Sequence, residues 1–175
     1  MSLIVLDALD TSCGFLSERL AGMDDVEYLW SPAQDPWTVI QADDGSLQAD
    51  WEDIDPVPAP VTTIAWRMWH IAVDALDSYS SRLFGHNGTG LEGRAWVASA
   101  AEAQVLLARS VANFRAGVAA WNDDQFFELL GPAWGSYADR TNLDLVLHAQ
   151  REVIHHAAEI ALLRDLYSAM VTRGS

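Results

Sequence analysis

The longest predicted helix of the chain reads TNLDLVLHAQREVIHHAAEIALLRDLYSAMV, residues 141–171. No Gly or Pro interrupts its roughly eight turns. Thr141 and Asp144 resemble a capping box at its start, with Asp in place of the usual Glu or Gln. Apolar residues such as Val153 and Ile160 form a stripe along one flank. This pattern predicts an amphipathic helix that packs against other helices.

Five polar residues recur along this helix at spacings of three, four and seven: His148, Glu152, His155, His156 and Glu159. At about 100° per residue they lie within an arc of about 100° on one side of the helix. A carboxylate and imidazoles one turn apart can hold a metal because their side chains point the same way. Two ligands from one helix do not complete a site, so another helix has to supply a third.

The composition predicts one acidic domain over residues 1–175. Half of the residues are apolar, the net charge is −15, and all ten basic residues are Arg. This charge argues against nucleic acid and anionic membranes as partners. A single cysteine, Cys13, excludes an internal disulfide, and the apolar run at residues 3–6 is too short for a signal peptide. We therefore expect a cytoplasmic protein without a membrane span.

Three further helices are predicted, over residues 4–23, 62–85 and 99–121. Thr62 or Thr63 is the expected N-cap of the second, and Ser99 with Glu102 forms an expected capping box for the third. Cys13 lies on the apolar side of the first helix, which favours a buried small side chain over a nucleophile. With no strand predicted, four long helices indicate an all-α four-helix bundle.

Residues 31–60, between the first two helices, are predicted to form a long irregular loop. They contain five prolines and many acids, and Trp30, Trp37 and Trp51 are spaced along this region. One interpretation is that these rings only attach the loop to the bundle. The other is that they line an apolar pocket near a metal.

His70 is the candidate third ligand. It lies on the second helix in line with Trp66 and Asp74, at four-residue spacing. A lone histidine there is usually a hydrogen-bonded interior residue. Helix bundles build metal sites from facing helices, however, which favours His70 opposite the last helix.

Four segments resemble the DinB/YfiT-like superfamily: WSPAQDPWTV (30–39), WHIAVDALD (69–77), PAWGSYADR (132–140) and REVIHHAAEIALLRDLY (151–167). The resemblance implies a four-helix bundle with up-down-down-up order, frequent homodimers, and a divalent metal held by three histidines. Its relatives include thiol-dependent enzymes, namely bacillithiol S-transferases and the metal domain of mycothiol-dependent maleylpyruvate isomerase.

Carried over to this chain, the resemblance implies a metal held by His70, Glu152 and His156. Glu152 stands where the family has a histidine, so the ligand set becomes two imidazoles and one carboxylate, which suits zinc, nickel or iron(II). The carboxylate would acidify a bound water less than a third imidazole. The alternative is a buried, hydrogen-bonded polar cluster without a metal.

The helical wheel distinguishes the two adjacent histidines. His156 lies beside the apolar stripe and faces the bundle, whereas His155 points away from it. His155 and His148 are therefore expected either to support the ligands by hydrogen bonds or to face solvent, and Glu159 is a candidate hydrogen-bond partner for a ligand imidazole. The side chains expected to shape a pocket are Trp66, Trp69 and Tyr137.

Two functions follow from these observations. The first is a metal-dependent transferase that joins a low-molecular-weight thiol to a small electrophile, an inference that depends on the family resemblance. The second is a non-catalytic, metal-free homodimer that binds a small ligand or serves as a structural module. The lack of an obvious further acid or base beside the three ligands favours the second.

Overall fold

The computed structural model of the chain describes residues 1–54 and 56–174 and is mostly helical, as predicted. The helices are α1 (Ser2–Leu20), α2 (Asp25–Tyr28), α3 (Ile64–Trp69), α4 (Ser78–Phe84), α5 (Ala100–Ala119) and α6 (Asn142–Gly174). A π-helical segment, His70–Asp77, joins α3 to α4. Two 3-10 turns, Asp124–Phe127 and Pro132–Tyr137, lie between α5 and α6.

The long helical segments pack around one apolar core. α1 lies against α5 and α6, and the π segment lies against both α5 and α6. Fully buried side chains at these contacts include Leu9, Met68, Phe114, Val153 and Ile160. These contacts do not by themselves establish a four-helix bundle or its up-down-down-up order, so both stay predictions.

α6 begins where the sequence predicts, because its capping box forms. The Thr141 backbone N–H and hydroxyl both donate to Asp144 Oδ2 at 2.9 Å, and the Asp144 N–H donates back to Thr141 Oγ1 at 3.2 Å. These bonds satisfy donors that a helix start otherwise leaves unpaired.

α5 also begins after Ser99, but the predicted capping box there is wrong. Ser99 makes no side-chain capping bond. Instead, the Asp25 carboxylate of α2 accepts from the Ala100 N–H at 2.7 Å. A residue distant in sequence thus replaces the local cap.

The second predicted helix, residues 62–85, is one helical run whose middle is π-helical. Thr63 Oγ1 accepts from the Trp66 N–H at 3.3 Å at its start, and Gly85 ends it with φ of 76°. The hydroxyl of Ser110 on α5 donates to the Ala72 carbonyl at 2.8 Å, which provides a partner for a backbone oxygen of the π segment.

The prediction that the chain has no strand is wrong for part of residues 31–60. Strands β1 (Val39–Gln41) and β2 (Leu47–Ala49) form an antiparallel hairpin, with Val39 opposite Ala49. The hairpin is short and is tied to the helices through the indole N–H of Trp66, which donates to the Asp50 carbonyl at 2.8 Å. The rest of the region is irregular, as predicted.

The loop tryptophans pack against tryptophans of α3. Trp37 lies 5.7 Å from Trp66 between ring centroids, and Trp51 lies 5.9 Å from Trp69. Trp30 instead packs edge-on against Tyr167 of α6 at 5.5 Å. These contacts attach the loop to the helices, as the first interpretation proposed.

Asp77, at the end of the π segment, organises the connection before α5. Its buried carboxylate accepts from the N–H groups of Gly88 and Thr89, at 3.2 and 2.9 Å, and from the hydroxyl of Thr89. Several hydrogen bonds of this kind compensate a buried charge.

Within the described residues, every helix is either too short or too polar to span a membrane.

Gly117→Ala is expected to lower the free energy of unfolding by about 1–3 kcal/mol. A Cβ at Gly117 would overlap the ring of Phe84, which lies directly over the α5 backbone. Gly14→Ala, in α1, is the matched control: within the described chain its Cβ meets no atom within 4 Å, so stability should rise by about 0.5–1 kcal/mol. Urea unfolding of both variants checks the pair, and equal stabilities would refute the packing argument.

Cys13 is expected to react slowly with iodoacetamide at pH 8. Burial, then the nearby Asp10 charge, raises its pKa from 9.0 to about 11, so roughly 100-fold less thiolate is present than for an unperturbed thiol. The rate should rise as the pH approaches 11 and should become ordinary in guanidinium chloride. Rapid alkylation of the folded protein at pH 7 would contradict a buried thiol.

Candidate metal centre

Three predicted ligand side chains converge between the π segment and α6. Ligand atoms of His70, Glu152 and His156 all lie within 4.8 Å of one another. Glu152 Oε2 is 3.2 Å from His70 Nε2 and 3.5 Å from His156 Nε2. The side chains of His70 and Glu152 keep 18% and 20% of their surface exposed, so solvent reaches the edge of the cluster.

Each side chain is positioned by its helix. Glu152 and His156 lie one turn apart on α6, which points them the same way. His70 is the first residue of the π segment, and its ring stacks on Trp66 at 5.2 Å with an interplanar angle of 10°. Because the Trp66 indole N–H is hydrogen-bonded to the Asp50 carbonyl, the hairpin region helps to hold the His70 ring.

Carboxylates also contact the far sides of both imidazoles. His156 Nδ1 lies 2.7 Å from Glu159 Oε2. His70 Nδ1 lies 3.0 Å from Asp74 Oδ2, close enough for an ion pair but poorly aligned for a hydrogen bond. Since an ionised carboxylate only accepts, we assign the proton of His156 to Nδ1, which directs its Nε2 towards Glu152, whereas His70 faces a carboxylate at both ring nitrogens. Metal-bound histidines are commonly oriented by such carboxylates.

The three groups hold different charges. The His70 hydrogen bond lowers the pKa of Glu152 to about 2, against the effect of burial. Burial, followed by the charges of His70 and Arg67, lowers the pKa of His156 to about 3. Burial opposes a charge on His70, but Asp74 and Glu152 outweigh it and raise its pKa to about 9. Near pH 7, Glu152 is therefore an anion, His156 is neutral and His70 is a cation.

This arrangement fits a divalent metal. With its proton on Nδ1, His156 presents the Nε2 lone pair to the Glu152 carboxylate, so two hydrogen-bond acceptors face each other at 3.5 Å. A cation beside both atoms makes that contact favourable. A proton on His70 Nε2 satisfies only the contact between His70 and Glu152. A metal in place of that proton would bind the ligand atoms of all three side chains. Two imidazole nitrogens and one carboxylate oxygen suit zinc, nickel or iron(II).

Arg67 is part of the site and was missed by the sequence analysis. Its guanidinium is paired with Glu159, and Nη1 lies 3.3 Å from His156 Nδ1. Burial lowers the pKa of Arg67 to about 10, so it is charged at neutral pH. The signal was present in the segment IAWRMWHIAV (64–73), where Arg67 is the one basic residue apart from His70.

His148, predicted as a neighbour of the site, connects it to Tyr79 on α4. His148 Nε2 lies 3.4 Å from Glu152 Oε1, and its Nδ1 lies 2.9 Å from the Tyr79 hydroxyl. Burial, then the charges of Glu152 and Asp74, raises the pKa of Tyr79 to about 12. Tyr79 therefore keeps its proton at neutral pH, and its hydroxyl is hydrogen-bonded with His148 Nδ1.

The other predicted pocket residues occupy three different positions. His155 is 65% exposed and stacks on His156 at 4.7 Å, so it is the outer histidine of the pair, as the helical wheel predicts. Trp69 is buried, with its indole N–H donating to the Gly93 carbonyl at 3.2 Å. Tyr137 lies apart from Trp66 and Trp69, in a separate cleft that His148 also lines.

Comparisons with known proteins agree with this fold. The chain resembles the crystal structure of a conserved protein from Enterococcus faecalis with a TM-score of 0.66 and 17% sequence identity. The alignment covers 95% of this chain and 96% of that one; at this identity the likeness shows the fold alone. No curated protein matches the chain.

The family comparison covers the site itself. A family model described as the DinB superfamily matches residues 45–160, which is more than half of the chain and includes His70, Glu152 and His156. The chain therefore belongs to the DinB superfamily.

Proposed function

We propose that this protein is a metal-dependent enzyme that joins a low-molecular-weight thiol to a small electrophile. The observation that carries the proposal is the convergence of His70 Nε2, Glu152 Oε2 and His156 Nε2 in a partly exposed cluster. Glu152 replaces a histidine of the family pattern without opening the cluster, because the carboxylate reaches both imidazoles.

The chain's own residues would prepare the site in three ways. Asp74 and Glu159 keep the Nε2 atoms directed inward. Arg67 balances Glu159 and disfavours a proton on His156, which keeps that imidazole available as a ligand. Trp66 and the hairpin region cover one side of His70 and exclude water from it.

In the proposed reaction the thiol sulfur forms a bond to an electrophilic carbon. The thiol proton passes to solvent, and the leaving group departs with its bonding electron pair. A divalent metal at the cluster would supply a Lewis acid that lowers the pKa of a bound thiol.

We further propose the quaternary and cellular setting that the sequence suggests. This comprises a single domain folded as an up-down-down-up four-helix bundle, a homodimer, and a cytoplasmic location suited to one partly buried cysteine. Size-exclusion chromatography with light scattering tests the dimer.

A metal-free, non-catalytic protein is the second candidate, and one observation favours it. The His70 imidazolium lies between Asp74 and Glu152, so the cluster already contains a cation that compensates the buried Glu152 charge. In that case the site stabilises the helices, and the protein binds a small ligand or serves as a structural module.

His156→Ala is expected to weaken zinc binding by more than about 100-fold relative to wild type. The protein would be stripped with a chelator and titrated with zinc, nickel or iron(II) by calorimetry, with elemental analysis giving the stoichiometry. One metal per chain is expected because three protein atoms converge.

His155→Ala is the matched control for this titration. It removes the adjacent exposed imidazole and should leave the affinity within about twofold of wild type. Circular dichroism would confirm that both variants fold. Equal zinc affinity in wild type and His156→Ala would exclude the proposed ligand set.

The metal-loaded protein is expected to accelerate conjugation of a thiol to monobromobimane or 1-chloro-2,4-dinitrobenzene. Bacillithiol, mycothiol, glutathione and cysteine would be compared in stopped-flow or absorbance assays. Acceleration should disappear in His156→Ala and persist in His155→Ala. Stoichiometric metal with no acceleration for any thiol would favour the non-catalytic candidate.

A further inference from the structure

A cleft lies beside the cluster of His70, Glu152 and His156, which we call the metal cluster. It is enclosed by α4, the Pro132–Tyr137 turn and the first half of α6. Its volume is about 430 Å³, within the range that small-molecule sites occupy. Its walls include Arg82, Arg140 and Arg151, with the rings of Trp134 and Tyr137. We name it the arginine cleft.

The charge of this cleft is opposite to that of the protein. The chain carries a net charge of −15 and only ten arginines, yet three of them line one cleft. Asp144 is the one carboxylate among its lining residues, and it is bonded to Thr141 in the α6 cap. Concentrated arginines in an acidic protein attract small anions.

Two of these arginines are not ion-paired, although the charge of Asp144 acts on Arg140 from a longer distance. Throughout the part of the chain that the structure describes, no carboxylate lies within 4.0 Å of the guanidinium nitrogens of Arg140 or Arg151. By contrast, Arg19, Arg115 and Arg164 are each paired with an acid. A free guanidinium offers a fork of donors that matches a carboxylate.

The third arginine instead holds an aromatic wall in place. The Arg82 guanidinium carbon lies 3.4 Å from the centre of a Trp134 ring, and its Nη2 donates to the Ala133 carbonyl at 2.9 Å. Tyr137, which also lines the cleft, is 63% exposed. A ring held in place, as Trp134 is, and an exposed ring such as Tyr137 can both stack on a planar ligand.

We propose that the arginine cleft binds a small organic anion that combines a carboxylate with an aromatic or other planar apolar group. The carboxylate would pair with Arg140 and Arg151, and the planar group would lie against Trp134 and Tyr137. This inference depends on the cleft alone and not on metal binding. His148 lines the cleft and contacts Glu152, so a bound anion lies next to the metal cluster.

The test uses 4-fluorophenylacetate as the anionic probe and 4-fluorophenylacetamide as its uncharged match, followed by fluorine NMR with the full chain. The acetate is expected to bind at least about tenfold more tightly than the amide, because only the acetate offers an anion to the arginines. Equal binding of both probes would overturn the proposal.

Variants locate the site. The double variant Arg140→Gln/Arg151→Gln should weaken acetate binding about tenfold or more, whereas Arg109→Gln, an exposed arginine of α5 outside the cleft, should change it by less than twofold. Thermal melting would show that these surface changes leave the fold intact. An equal loss in Arg109→Gln would mean that the probe senses only net charge and would overturn the assignment.

Chelator-treated and zinc-loaded protein separate this inference from the proposed enzyme function. Binding of the acetate to chelator-treated protein, lost in the double variant, supports the cleft even if no metal binds. Binding that requires zinc and is unaffected by the double variant would place the anion on the metal and exclude the arginine cleft.

Discussion

The Glu152 carboxylate is the interaction on which the centre of the molecule depends. A half-buried negative charge between helices is costly unless cations or donors surround it. Here His70 bonds one of its oxygens and His148 approaches the other, while His156 lies one turn further along α6. The carboxylate therefore links the π segment to α6 through His70, and two further imidazoles of α6 lie beside it.

The π segment determines what that carboxylate can reach. His70 is its first residue and Asp77 its last, so one end carries a candidate metal ligand and the other holds the connection to α5. Because π turns leave backbone groups without their usual partners, the segment depends on α5 for the Ser110 hydroxyl. Packing between helices thus supports the local geometry at which His70 is presented.

Sequence reasoning succeeded where the physical cause is local. The Thr141–Asp144 cap and the inward direction of His156 follow from spacing on one helix, and both agree with the structure. His70 came from the way helix bundles build metal sites on facing helices, and then from the family resemblance, since spacing alone leaves it as an interior histidine.

The misses have causes that lie elsewhere in the chain. The hairpin strands are three residues long among prolines and acids, so they carry no periodic signal. Asp25 replaces Ser99 as the cap of α5 from 75 positions away. Arg67 resembles an ordinary helical arginine until Glu159 and His156 are placed beside it by tertiary packing.

Arg164, on α6, has a mechanical consequence. It forms a two-pronged ion pair with Glu27 and also bonds the Arg19 and Ala21 carbonyls at the end of α1. Twelve residues separate it from Glu152, which at about 100° per residue places the two grips roughly 120° apart around the helix axis. Helix α6 is held on two different sides at two positions along its axis, which restrains both rotation about the axis and sliding along it. The contact of Arg164 with Glu27 and the end of α1 therefore helps to set the direction of the face of α6 that carries the imidazoles.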